Sequence, residues 1–237
     1  MKNSTKEIIN EINTYRDESK AAFLPRFFKT GKGEYGEGDQ FIGVVVPNLR
    51  IVAKKHFDAD FDTLRELLAS PYHEYRLTAL LALTYRYAKL KDHASRETCV
   101  NFYVSQVDAI NNWDLVDLSC YKILGHWLFD KDKQLLYDWA KENHLWKQRI
   151  AMISCMHFVK HGEFKDALAI ADLLQHHPHD LIHKAVGWIL REIGKEDEQL
   201  LVDYLTPRYK EMPRTMLRYA IERFEEEKRK AFLNSTI

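Results

Sequence analysis

Five stretches of the chain decide its fold: YHEYRLTALLAL at 72–83, NWDLVDLSCYKIL at 112–124, LWKQRIAMISCM at 145–156, LIHKAVGWILRE at 181–192 and EMPRTMLRYAIE at 211–222. In each, a charged residue sits in or just before an apolar, helix-forming run. These anchors are Arg76, Asp117, Arg149, Lys184 and Arg214, and they stand 41, 32, 35 and 30 residues apart by the numbering. Periods of this size belong to solenoids built from two-helix repeats. Working outward from 72–83, the apolar set Leu77, Leu80, Leu81, Thr84, Tyr85 and Ala88 recurs at helical spacing after the start signal Ser70-Pro71.

The rest of the chain reads the same way. Thirteen helices are expected, including one over about 112–128 and one over about 211–230. Their short links make sequential helices antiparallel neighbours. No alternating strand pattern appears, and Val44 to Val46 is cut short by Pro47. The one long loop is KTGKGEYGEGDQFIG, which holds five of the nine glycines, from Gly31 to Gly43. It lacks the GxxxxGK[ST] spacing of a phosphate loop, and Glu34, Glu37 and Asp39 would repel a triphosphate. It reads as a DNA-edge loop or a structural turn. The fold class is therefore all-α, with residues 1–237 expected as one domain of about six helix pairs.

Composition excludes several classes. In 237 residues, 46% are hydrophobic and 30% charged, as in a soluble globular protein. No run approaches the roughly 18 apolar residues of a membrane span, so no membrane partner is expected. The stretch from Met1 to Asn10 is polar and carries no signal core. Cys99, Cys120 and Cys155 lie in apolar helical patterns without CxxC spacing, which points to reduced, buried thiols and a cytoplasmic location. His157 and His161 stand four apart, and His176, His177 and His179 cluster, but no HExxH accompanies them. These histidines read as structural or surface residues, and no metal is expected.

Lys plus Arg equals Asp plus Glu at 35 each, so net charge gives no argument for nucleic-acid binding. Position does. If the second helices of successive pairs line one concave surface, Arg76, Arg149, Lys184 and Arg214 form a row of cations with Asp117 among them. Basic residues repeated along a groove suit a phosphate backbone. Arg218 extends the row, and the competing reading is that all of these are ordinary solvated charges. Trp113 lies four residues before Asp117, hence on one helix face. Trp188 sits between Lys184 and Arg191 on another. An aromatic ring beside charge can stack on a base or sugar. Packing is the alternative, and it suits Trp127, Trp139 and Trp146 better.

NWDLVD at 112–117, LWKQRIA at 145–151 and HKAVGWILREIGK at 183–195 resemble, in that order, the bacterial HEAT-like-repeat DNA alkylation-repair enzymes, the alkylpurine DNA glycosylases. The resemblance runs from about Lys20 to Phe224. It implies a HEAT-like α-solenoid whose concave face holds duplex DNA, with Trp113, Asp117 and Trp188 as the catalytic trio and Arg149 on the DNA-contacting surface. It also implies that the lesion is held against the groove and its sugar-phosphate contacted from outside, rather than flipped into a pocket. Two departures stand out. Asn112 occupies a position where some members carry a second Trp, and the Gly-rich segment is longer than in the best-known members. Relatives also exist that bind DNA structures without cleaving the glycosidic bond.

The chemistry follows from the residue types. N3- or N7-alkylation gives the purine a positive charge, so it leaves without a general acid. Breaking the C1′–N bond builds positive charge on the sugar, which a fixed carboxylate opposes while holding the attacking water. A pre-charged leaving group explains how one carboxylate, Asp117, suffices where sugar-bond hydrolysis usually takes two. Asp114 reads as a support or surface residue. The indoles of Trp113 and Trp188 favour a nearby cation through their π faces. The expected activity is a monofunctional DNA glycosylase acting on alkylated purines in duplex DNA, without a cofactor or a Schiff-base step, as a monomer. The DNA-binding set is Arg149, Lys184, Arg191, Arg76, Arg214 and Arg218. The alternatives are a DNA-structure binder that releases no base and a helical-repeat scaffold.

Overall fold

A computed structural model describes residues 4–237; Met1, Lys2 and Asn3 of the polar N-terminal stretch lie outside the described residues. Among those residues every regular element is helical, and the sole β-type pairing is an isolated bridge between Gln40 and Tyr72. The helices group into two compact units, 1–123 and 124–237.

The first unit contains α1 (Thr5–Asn13), α2 (Glu18–Phe27), α3 (Val46–Lys55), α4 (Phe61–Leu68), α5 (His73–Lys89), α6 (His93–Ser105) and the short α7 (Trp113–Asp117). Side-chain oxygens of Ser4, Asp17, Asp60 and Asp92 accept backbone N–H groups at the starts of α1, α2, α4 and α6, satisfying donors that have no partner within the helix. Helix α5 packs against α3 and α4. It buries residues all round its circumference, from His73 to Thr84 and Tyr87, which makes it the axis of this unit rather than an amphipathic surface helix.

The second unit contains α8 (His126–Leu128), α9 (Gln134–Lys141), α10 (Leu145–Ser154), α11 (Met156–Val159), α12 (Lys165–Leu174), α13 (Asp180–Glu196), α14 (Glu198–Leu205), α15 (Arg214–Ala220) and α16 (Glu226–Asn234). Helix α13 is the hub, touching α10, α12, α14 and α15. Gly187 permits a close contact with α15, since a Cβ there would lie 2.5 Å from the Met216 carbonyl oxygen. Trp139 and Trp146 are buried. Trp127 is half-buried with the Lys131 ammonium 4.3 Å from its ring.

Several expected helices are broken, among them 145–161, which is interrupted at Cys155, and 93–109, which ends in a 3-10 turn after Gln106. Over 112–128 the regular helix stops at Asp117, and a π-helical turn runs from Tyr121 to Gly125. The buried Ser119 hydroxyl donates to the Leu115 carbonyl, offering that oxygen an alternative to the helical ladder. Over 211–230 the chain turns between Ala220 and Glu226. The turn folds α16 back so that Phe232 is fully buried, 5.7 Å from Phe224 and 5.3 Å from Tyr209 between ring centres. All three cysteines are buried and unpaired by disulfides, as their apolar settings lead one to expect. No helix among the described residues is long and apolar enough to cross a membrane.

Candidate active site

In the first unit, Trp113 and Asp117 begin and end α7, and both are half-buried. A five-residue helix has little stability of its own, so the surroundings must hold it. They do so through a buried polar network. His73, at the start of α5, approaches Asp114 Oδ2 with Nε2 at 2.8 Å and Asp39 Oδ2 with Nδ1 at 3.0 Å. Arg76 donates to Asp39 Oδ1 at 2.6 Å. Asn112 donates from Nδ2 to Asp39 Oδ2 at 3.1 Å, while its Oδ1 accepts the Trp113 N–H at 2.8 Å as the cap of α7. Asp39, His73, Arg76, Asn112 and Asp114 are all buried.

The charges in this network balance. Burial by itself would lower the His73 pKa, but the charge and hydrogen bond of Asp114, together with those of Asp39, raise it to about 9. Burial pushes the Asp39 carboxyl up, and the hydrogen bond from His73 and the charge of Arg76 pull it below its ordinary value. With His73 protonated, two cations meet two carboxylates, which is the condition for keeping such groups out of water.

The Gly-rich segment supplies one arm of this network through Asp39 and so has a structural role. Gln40 N–H donates to the Pro71 carbonyl and the Gln40 carbonyl accepts the His73 N–H, each at 2.9 Å, docking the loop end on the start of α5. The buried Glu74 carboxylate accepts the N–H groups of Ile42, Gly43 and Val44 at 3.1, 2.8 and 3.3 Å. Gly43 has a φ of +83°, and a Cβ there would sit 1.9 Å from the Asp17 carbonyl oxygen. Above the network lies an aromatic layer. Trp113 stacks on Phe28 at 5.4 Å between ring centres, and Phe28, Phe41 and the His73 ring form a mutual cluster with centres 4.7 to 5.0 Å apart.

Arg76 is therefore not a solvated groove cation: its guanidinium is buried and bonded to Asp39. Asp114 is a support residue, holding α7 to α5 through His73. Asp117 stands at the other end of α7. Burial holds the Tyr103 phenol well above its ordinary value, and the Asp117 charge adds to that effect.

In the second unit, Arg149 on α10 is buried and donates to the Leu181 carbonyl near the start of α13. Lys184 pairs with Asp180 at 2.6 Å. Trp188 is half-buried on α13, and its indole N–H donates to Glu192 Oε1 at 3.2 Å. Arg191 pairs with Glu222 and lies 3.5 Å from Glu192. The cations on either side of Trp188 are thus matched by acids, and Glu192, four residues on, is a neighbour that the sequence reading passes over. Arg214 is exposed with one donor on the Leu233 carbonyl at 3.0 Å, and Arg218 is exposed.

The histidines have local partners. His179 Nδ1 accepts the Leu181 N–H at 3.1 Å, and His177 approaches Gln148 Oε1 at 3.0 Å. The His157 and His161 rings lie 4.3 Å apart. Burial first, then His161 and His126, lower the His157 pKa to about 4.

The described residues thus form a helical chain that sets a half-buried carboxylate and indole on a short, internally braced helix. Its sequence matches the model of the DNA alkylation repair enzyme family over residues 8–224, and the chain belongs to that family. A predicted DNA alkylation repair enzyme from Enterococcus faecalis shares the fold, with a TM-score of 0.68 and 14% identity over 89% of this chain and 97% of that one. AlkD2 from Streptococcus mutans is also similar, with a TM-score of 0.54 and 16% identity over 88% of this chain and 99% of that one. No curated protein matches the chain in sequence.

Proposed function

We propose that the protein is a monofunctional DNA glycosylase that hydrolyses the N-glycosidic bond of N3- or N7-alkylated purines in duplex DNA. The observation that carries this reading is the division of labour on α7. Asn112 and Asp114 are buried in the bracing network, whereas Trp113 and Asp117 keep part of their surface in solvent. Capping accounts for Asn112, and the ion pair with His73 accounts for Asp114. Asp117 is the last residue of the helix, where the dipole disfavours an anion. Its partly exposed carboxylate is open to a substrate sugar.

In the proposed reaction the C1′–N bond breaks and its electron pair passes to the alkylated base, which leaves neutral. The positive charge that appears on C1′ and the ring oxygen is opposed by the Asp117 carboxylate. Water oriented by Asp117 adds to C1′ and loses a proton to solvent, leaving an abasic sugar with a C1′ hydroxyl. Trp113, and by the family resemblance Trp188, offer π faces to the cationic nucleotide. Lys184, Arg191, Arg214 and Arg218 are assigned to the phosphate backbone, the first two exchanging acidic partners for phosphate; Arg149 is buried on the Leu181 carbonyl, and its assignment to DNA rests on the family resemblance alone. Arg76 is left out of that set because Asp39 holds it. The chain acts on DNA as a monomeric domain and draws on no cofactor.

The test is release of free modified base from methylated duplex DNA, read by chromatography with mass detection, for wild type and Asp117→Asn. Release by the wild type, near-lost in the variant with DNA affinity retained, supports the reading. Tight binding by wild type without any release sinks it and favours a protein that recognises DNA structure.

A further inference from the structure

Helix α2 is unusual among the helices of the first unit. It has ten residues and buries none of them, although a surface helix normally hides one face. Phe23 and Phe27 are 60% and 50% exposed, the only aromatic residues among the large apolar side chains left exposed in the described chain. They stand four apart, so they share a face, and their rings stack at 6.2 Å with 28° between planes. Phe27 then meets the Trp113 ring edge-on at 6.0 Å. Phe23, Phe27 and Trp113 thus form a continuous row of rings that starts in solvent and ends at α7.

The same segment carries exposed cations. Arg26, Lys29 and Lys32 all face solvent. Among the described residues Arg26, Lys29 and Lys32 form no ion pair; of the acids close in sequence, Glu34 and Glu37 are turned onto the Gly31 and Gly33 N–H groups at 2.8 and 2.7 Å, Asp17 is bonded to Lys20, and Glu18 is exposed at the far end of α2. Helix polarity accounts for a cation in the last turn of α2. It does not account for two phenylalanines in water at a face where polar residues would cost nothing. Aromatic rings beside exposed cations that form no ion pair are the combination that receives an unstacked base together with its phosphate.

We propose that Phe23 and Phe27, continuous with Trp113, form a stacking step for an unpaired nucleobase of DNA, with the adjoining phosphates on Arg26, Lys29 and Lys32. The inference rests on the reading that the protein acts on DNA, and it names the structural state of that DNA: a duplex from which a base has been displaced.

The test compares two DNA probes of equal length, a fully paired duplex and one with a single unpaired 2-aminopurine. Affinity and 2-aminopurine fluorescence are followed for wild type, Phe23→Ala/Phe27→Ala and Phe23→Leu/Phe27→Leu, each checked for helicity by circular dichroism. Wild type is expected to prefer the unpaired-base duplex by roughly ten-fold and to quench its fluorescence. Both double variants should lose preference and quenching while keeping their affinity for paired duplex, the leucines because they retain apolar area but no π face. Arg26→Gln/Lys29→Gln should weaken both probes and flatten the salt dependence. Equal preference in wild type and variants overturns the stacking step alone. A wild-type dimer that the alanine variant dissolves, without change in probe preference, also overturns it and assigns the face to a second copy of the chain. Wild type that binds neither probe overturns the DNA reading on which the step rests.

Discussion

His73 Nε2 lies 2.8 Å from Asp114 Oδ2, with both side chains buried, and this contact ties the start of α5 to the first turn of α7. The partner on the other ring nitrogen is Asp39, delivered by the Gly-rich loop. One imidazole therefore joins three segments that are far apart in sequence. Replacing it leaves two buried carboxylates facing each other with Arg76 as the only cation. Breaking a buried pair in this way typically costs about 3–5 kcal/mol. His73→Leu is expected to lose stability of that order in urea unfolding. If Asp114 and His73 act as a unit, Asp114→Asn in the His73→Leu background should cost much less than in wild type, the signature of a coupled pair.

The same residue sets a pH dependence. Its folded-state pKa is raised from 6.5 to about 9, so the folded chain holds a proton that the unfolded chain releases. The stabilisation is complete below pH 6.5 and is lost as pH rises towards 9. Asp39 contributes with the opposite sign, because its lowered pKa gives stability that disappears as pH falls into the acid range. Unfolding free energy measured from pH 6.5 to 9 should fall for wild type and stay nearly level for His73→Gln. A wild-type curve as flat as that of the variant would show that His73 is neutral in the fold.

Gly43 is the tightest point of the loop. An alanine there would need a φ of +83° and a Cβ 1.9 Å from the Asp17 carbonyl oxygen, while that residue's N–H is bonded to Ile42 at 3.1 Å. Overpacking and strain together are expected to cost about 3 kcal/mol. Gly33 and Gly38 also have positive φ but open space around them, so alanine at either should cost only about 1–2 kcal/mol. Thermal unfolding of the three alanine variants gives the comparison, and equal losses would mean that backbone conformation alone decides.

Helix existence is legible in this sequence because apolar spacing is local information. The breaks are not. The chain leaves the helix after Asp117 where a Ser119 hydroxyl competes for a carbonyl, and it turns before Glu226 so that Phe232 can meet Phe224. Trp113 and Asp117 are visible as an i,i+4 pair, and the motif around them is enough to suggest the family. The bracing network is not visible, since the partners of His73 lie 34 and 41 residues away along the chain. Charge type also misleads about position. Arg76 and Arg149 look like two members of one exposed row, but both are buried against fixed acceptors. The sequence shows that they are cations and carries no local sign of what neutralises or orients them.

The proposed roles of Asp117 and the tryptophans differ in size, and kinetics can separate them. Asp117 opposes a full developing charge, and removal of one such preorganised group commonly costs about 3–4 kcal/mol at the barrier, or roughly 10²–10³ in rate. An indole face contributes about 0.5–2 kcal/mol. Asp117→Asn should therefore slow single-turnover base release by at least about five times more than Trp188→Ala. The Trp188 variant also frees Glu192, which now accepts the indole N–H at 3.2 Å and remains beside Lys195 at 2.7 Å. Trp188→Phe keeps a π face without that hydrogen bond. It should retain most of the rate if the ring acts on the cation, and fall to the alanine level if the contribution of Trp188 runs through Glu192. Equal losses for Asp117→Asn and Trp188→Ala would remove the electrostatic argument for Asp117.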